Sequence, residues 1–317
     1  MLLSFFLLAL FFRGASLDKI WESVLHANYF LVIPAILSYF IAVWWRAVRW
    51  RFLLSPLGRF APHRLLSPIL SSFAINNLVP GRVGLFIVSG FLVGEREKIS
   101  KIASGATALT AQIFDGLVLL LIVIAISFTA PLSGWVLQMS RVTIALYSML
   151  MFPFFFAAFN PGLMCRLGHF VSRPLPPPWQ EKVRRWLELA LSGVAAVRSL
   201  PNFTLILITS LLIWTFEAGV FILMALAFNI DLPLHSLFIV TAIAYLSLLI
   251  PSLPGGVGPF EYFGKQTLIG LGINQSLSVA FISIVHLTLL LPVTLAGLVF
   301  LWLERHTLTG RVRHQSP

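Results

Sequence analysis

Apolar runs long enough to cross a lipid bilayer recur along this chain, and a fold in water has no interior large enough to hide them all. A helix crosses about 30 Å of hydrocarbon with about 20 apolar residues. Of 317 residues, 58% are apolar and 10% charged, where ordinary soluble domains carry about 25% charge. No stretch is long and polar enough to form a soluble catalytic domain. Hydrocarbon offers no water to backbone amides and carbonyls, so helices, which satisfy them internally, are expected. The fold class is therefore all-α: a polytopic membrane protein with a single integral membrane domain over 1–317.

Full spans are expected at 1–12, 29–46, 102–128, 141–160, 202–229 and 275–303, giving six crossings. The first begins without a basic segment and ends at Arg13-Gly14-Ala15-Ser16, a poor cleavage site. It reads as a short span and not as a signal peptide. Two further apolar stretches, 64–94 and 236–272, are each interrupted near the middle by Pro and Gly. Proline lacks the amide hydrogen a helix needs and glycine admits the positive φ of a reversal. These stretches read as re-entrant hairpins, each made of two half-helices.

The 22 Lys and Arg are divided unevenly by these spans. Arg46, Arg49, Arg51, Arg59, Arg64, Arg96, Lys98, Lys101, the cations of 166–198 and those of the tail fall on one side. Arg13, Lys19 and Arg141 fall on the other. Positively charged loops stay in the cytoplasm, so both termini are expected there, in a bacterial inner membrane, with 304–317 as a cytoplasmic tail. Topology also accounts for the formal charge of +11, and no nucleic-acid partner is expected. The long loop 161–201 carries Trp179, Val183, Trp186, Leu187, Ala190 and Val194 at helical spacing, an amphipathic helix for the cytoplasmic interface. Cys165 is the lone cysteine, which excludes an internal disulfide framework and a Cys-based metal site. No metal and no cofactor are expected.

The first interruption turns at Pro80-Gly81-Arg82-Val83-Gly84, the second at Pro254-Gly255-Gly256-Val257-Gly258, alike at four of five positions. Under the counted topology the two hairpins enter from opposite faces, and span, hairpin, span occurs twice, inverted. Transporters built from inverted repeats bind their cargo at the midplane, where broken helices expose their ends.

Charged residues inside such stretches are functional candidates, because a charge at the bilayer centre costs about 2.5–3.5 kcal/mol on insertion scales. Arg82 sits at the first turn, where a cation beside unpaired amides favours a phosphate or carboxylate group, or else is neutralised by an intramembrane carboxylate. Glu261 and Lys265, four residues apart, share a helix face. They either neutralise one another or line the site. Asp115, Glu217 and His286 are candidates to carry a transported proton. Asn76, Asn77 and Gln112 complete a polar lining or serve as interhelical hydrogen bonds.

These same residues resemble a known family. Arg49-Trp50 with Leu53-Leu54, then Asn77 to Gly84, then Asp115 are similar to the membrane region of lysylphosphatidylglycerol synthases and its stand-alone relatives. Pro251-Ser252-Leu253-Pro254-Gly255-Gly256-Val257-Gly258 with Phe260-Glu261 resembles that family's second motif. The resemblance implies a flippase-like domain that moves lipids, often anionic or aminoacylated phospholipids, between leaflets; some relatives are linked to hopanoid or glycolipid handling. The soluble aminoacyl-transfer domain of the full-length synthases is absent from this sequence. Several family charges are missing too: Leu85 and Val88 replace a Glu and an Arg, Gln112 stands where an Arg often precedes the Asp, and His286 stands near another Arg. Those losses weaken the transfer of anionic-lipid specificity and point to another lipid class.

The reading that follows is a lipid translocase, a transporter rather than an enzyme, whose partner is a membrane lipid substrate. The alternatives are a membrane-embedded transferase using intramembrane Asp, Glu and His as acid and base, and a non-catalytic subunit that positions a separate lipid-modifying enzyme. Neither a zinc His-Glu-x-x-His, nor a nucleophile elbow, nor a phosphate loop is present.

Overall fold

The computed structural model describes residues 2–79, 87–129 and 134–313, with 304–313 described by backbone alone. The first turn, with Pro80, Gly81, Arg82 and Gly84, lies outside the described residues. No strand occurs among the described residues, and the protein is an all-α integral membrane protein.

In chain order the helices are α1 (Leu2–Phe12), α2 (Leu17–Leu25), α3 (Val32–Leu53), α4 (Pro62–Leu78), α5 (Ile87–Arg96), α6 (Lys101–Thr129), α7 (Gly134–Phe159), α8 (Pro161–Ser172), α9 (Pro177–Gly193), α10 (Leu200–Ala227), α11 (Leu234–Leu246), α12 (Pro259–Gly270) and α13 (Gln275–Arg313). Five segments are long and apolar enough to cross a membrane: Tyr29–Leu53, Lys101–Thr129, Gly134–Phe159, Leu200–Ala227 and Gln275–Leu303. The sequence reading differs at the first span. With 11 residues, α1 is about 16 Å long at 1.5 Å per residue, half the hydrocarbon thickness. Placing both termini on one side needs a sixth crossing that α1 is too short to supply.

The second interrupted stretch appears as helix, break, helix, with α11 and α12 on either side of the break; α4 and α5 lie before and after the first turn, which is outside the described residues. The pattern of packing repeats as well. Exchanging α3 with α10, α4 with α11, α5 with α12 and α6 with α13 turns each contacting pair among these eight helices into another contacting pair. Thus α4 packs on α13 as α11 packs on α6, and α3 packs on α10 at the centre. Two similar units, each a span, a broken pair and a span, therefore interlock around α3 and α10. The long helix α7 is added at the rim: 11% of its apolar window is buried, against 56% for α6.

Small residues allow the close approaches. Ser38 of α3 donates its hydroxyl to the Phe216 carbonyl of α10 at 2.7 Å. On α13, a side chain at Gly297 would meet the Leu70 carbonyl oxygen of α4 at 2.1 Å. The segment 161–201 forms α8, α9 and a short 3-10 turn. Along α9, Val183, Leu187 and Ala190 turn inward while Trp179 and Trp186 are exposed with Lys182 lying over both rings.

Replacing Gly297 by Val forces α13 away from the α4 backbone. Overpacking of this kind costs about 1–3 kcal/mol, and a lowered apparent melting temperature of the purified protein in detergent measures it; an unchanged value would show that the two helices separate freely.

Candidate functional site

Helix α3 does not stop at residue 46. Its apolar pattern continues through Trp50, Phe52 and Leu53, and the helix carries Arg46 and Arg49 into the interior, one turn apart on one face. Arg49 is 2% exposed. These two arginines are not the cytoplasmic loop cations that the charge count takes them for. The physical reason lies on the facing helices: Asp115 at the middle of α6 and Glu217 in α10 are buried carboxylates, and an unpaired buried charge is far costlier than a paired one.

The pairing is complete. Arg49 donates through both terminal nitrogens to Asp115, Nη1 to Oδ1 at 2.7 Å and Nη2 to Oδ2 at 3.0 Å. Arg46 bridges the two acids, Nη1 to Asp115 Oδ2 at 2.9 Å and Nη2 to Glu217 Oε1 at 2.8 Å. Trp214 Nε1 donates to Asp115 Oδ1 at 3.2 Å, and the Tyr245 hydroxyl donates to Glu217 Oε2 at 2.5 Å. Two guanidinium groups balance two carboxylates, and the network ties α3, α6, α10 and α11 together.

A second cluster forms at the second break. Gly255 and Gly258 adopt φ of +70° and +106°, and a side chain at Gly258 would lie 2.9 Å from the Ser4 backbone of α1. Glu261, in the first turn of α12, caps that helix by accepting from the Gly258 amide at 2.7 Å. Its other oxygen meets His286 Nδ1 of α13 at 2.5 Å, while His286 Nε2 lies 3.1 Å from the Gly255 carbonyl. A carbonyl only accepts, so Nε2 carries a hydrogen. One further proton then joins Nδ1 to Glu261, and the couple is neutral wherever along the bond that proton sits. Lys265 takes no part in it. Its Nζ donates to the carbonyls of Phe11 at 2.6 Å, Arg13 at 3.1 Å and Leu10 at 3.2 Å, closing the C-terminal end of α1. Both expectations for the Glu261 and Lys265 pair fail there, because α1 offers three unpaired carbonyls to the ammonium.

Between the clusters lies a cavity of about 450 Å³, within the roughly 300–1,000 Å³ of small-molecule sites. Six expected polar residues line it: Asn76, Asn77, Gln112, Asp115, Glu217 and His286, together with Gly255 of the second turn. Glu261 stands behind His286; Gly256 and Gly258 shape the turn that begins at Pro254. Arg82 lies outside the described residues. Asn77 also binds across helices, donating to Thr294 at 2.9 Å. The sequence reading misses Tyr39, Arg46, Trp214 and Tyr245, which share this lining. A signal for the arginines was present, since two intramembrane acids require cations and α3 stays apolar beyond residue 46. Leu109, Leu150 and Leu249, exposed by 46%, 51% and 49%, form an apolar lip on the outer surface.

Residues 1–297 match the family described as Lysylphosphatidylglycerol synthase TM region. A UPF0104 membrane protein from Methanothermobacter thermautotrophicus is 24% identical over 296 residues, 89% of this chain and 86% of that protein. No solved structure matches.

Removing one member of the ion network strands its partner. Asp115→Asn or Arg49→Met alone is expected to destabilise by about 3–5 kcal/mol, and the double variant by less than the sum, with a coupling of about 1–3 kcal/mol. Apparent melting temperatures of the four proteins test this; strictly additive losses would mean that the two groups act independently.

Proposed function

This chain belongs to the lysylphosphatidylglycerol synthase TM region family, and from that premise we propose that it is a lipid translocase, carrying a polar headgroup between leaflets while the tail stays in hydrocarbon. The observation that carries the reading is the cavity: a polar floor of Arg46, Asp115, Glu217 and His286, all inside apolar helices, behind an apolar lip of Leu109, Leu150 and Leu249. A headgroup entering hydrocarbon without such a floor forfeits its water at a cost of several kcal/mol. The lip leaves an acyl or isoprenoid chain in contact with lipid throughout.

The end of α4 and the second break supply more of the lining. Gly255 lies against the end of α4, where an added side chain would sit 3.7 Å from the Asn77 carbonyl oxygen. On this reading α4 with α5 and α11 with α12 are re-entrant pairs that meet from opposite faces, an arrangement suited to alternating access. The basic segments 51–64, 96–101 and 166–198 stay on the cytoplasmic side of a bacterial inner membrane, with the C-terminal tail beside them.

A second reading, an embedded transferase, draws on the Glu261 and His286 couple, whose shared proton is the equipment of a general acid and base. Reconstitution separates the two. In vesicles holding the purified chain and leaflet-labelled lipids, translocation without chemical change is expected, and Glu261→Gln is expected to slow it by about tenfold or more while the protein stays folded. A chemically altered lipid would instead favour the transferase, and movement only after a second protein is added would make the chain a positioning subunit. Wild-type rates in Glu261→Gln and in Asn77→Ala would remove the cavity from the route.

A further inference from the structure

We propose that the headgroup this cavity receives is neutral and rich in hydroxyls, a sugar carried on a lipid, and not an anionic phosphate headgroup; the inference rests on reading the cavity as a lipid-headgroup site. The charged groups of the lining are already committed to one another. All four terminal nitrogens of Arg46 and Arg49 donate to Asp115, Glu217 or both, and both ring nitrogens of His286 are engaged. The Nε atoms of both arginines have no partner, but they are sealed from the main cavity. Beside these side chains is a small separate space of about 40 Å³, enough for a water molecule.

Among the described residues that line the cavity, an anionic headgroup therefore finds no uncommitted cation. To bind, it would have to draw Arg46 away from Asp115 or Glu217, break charge-assisted hydrogen bonds and leave a buried carboxylate unpaired.

What the lining leaves free is of another kind. The Tyr39 hydroxyl and the side-chain amide of Gln112 make no hydrogen bond within the protein; nor does the Asn76 side chain, whose carbonyl oxygen is as enclosed as the arginine Nε atoms, so that its amide nitrogen is the group it offers. Hydroxyl and amide groups both donate and accept, the combination that a ring of sugar hydroxyls requires, since each hydroxyl does the same. Aromatic rings flank them. Trp214 and Tyr245 stand edge to face with centroids 4.9 Å apart, and Phe73 and Phe260 border the same space. A sugar ring presents hydroxyls at its edge and C–H groups on its face; the free hydroxyl and amide groups meet the first, and Phe73 and Tyr245, the half-buried rings of the lining, meet the second.

The test is a competition on the full chain in detergent between monoglucosyl-diacylglycerol and phosphatidylglycerol with the same acyl chains, read by displacement of a labelled glucosyl lipid. The glucosyl lipid is expected to bind at least about tenfold more tightly, with affinity unchanged between about 50 and about 500 mM salt. The Asn76→Ala, Gln112→Ala double variant is expected to lose about tenfold for the glucosyl lipid with an unchanged melting temperature, because neither amide bonds the protein. Arg82→Gln, which addresses a cation outside the described residues, is expected to bind the glucosyl lipid within about twofold of wild type. Phosphatidylglycerol binding equally or better, salt-sensitive binding, dependence on Arg82, or binding of neither lipid would overturn the inference. Movement of the same lipids in vesicles is measured separately. Glucosyl-lipid preference without movement would end the translocase reading and leave the headgroup class standing, whereas movement of phosphatidylglycerol alone would do the reverse.

Discussion

The structure depends on the pairing of Arg46 and Arg49 with Asp115 and Glu217. Four formal charges inside apolar helices are tolerable only together, because in hydrocarbon no water replaces a missing partner. That requirement fixes more than local geometry. It sets the rotation of α3, whose arginines must face inward, and it sets the depth of α6 and α10 relative to α3, since a slip of one turn would move a carboxylate out of reach. Trp214 and Tyr245 take up the remaining acceptor sites on the two acids. Each buried polar bond thus doubles as a registration mark between helices whose shared surface is mostly apolar.

Registration is what allows two similar units to interlock. The exchange of α3 to α6 with α10 to α13 preserves which helix touches which, yet the chemistry on the two sides is unlike. The first unit brings arginines on its leading span and an aspartate on its last. The second brings a glutamate on its leading span and a histidine on its last, with another glutamate at its break. One fold pattern therefore builds a cavity whose walls are chemically distinct, a salt-bridged side and a side where a single proton is held between Glu261 and His286.

Much of this was legible in the sequence, and the misses have physical causes. The all-α membrane class, the two interruptions at Pro and Gly, and the intramembrane acids all follow from residue type and run length. Asp115, Glu217, Gln112, Asn77 and His286 converge on one cavity although they come from four helices. The arginines were misplaced because a count by loops treats every Arg as solvated, while a guanidinium opposite a buried acid is held inside. Lys265 was misassigned because helical spacing reports which residues can meet Glu261 and says nothing of the carbonyls that α1 presents. Leu2–Phe12 was taken as a full span from its composition, although its length was readable. Tyr39 and Tyr245 carried no signal, since an aromatic on an apolar helix reads as packing.

On the proposed function, the unequal walls also decide what can move. Opening the salt-bridged side breaks several charge-assisted bonds at once and exposes a carboxylate to lipid, so α3, α6 and α10 behave as one body. The opposite side carries fewer ties at the cavity, a proton between Glu261 and His286, one amide of Gly258 and one carbonyl of Gly255, while Leu253 and Lys265 tie the break and α12 to α1. Its backbone turns through three glycines at positive φ, Gly255, Gly256 and Gly258, a region that glycine adopts without the penalty a side chain brings. A headgroup resting against Gln112 and Asn76 thus has a fixed wall on one side and a yielding one on the other.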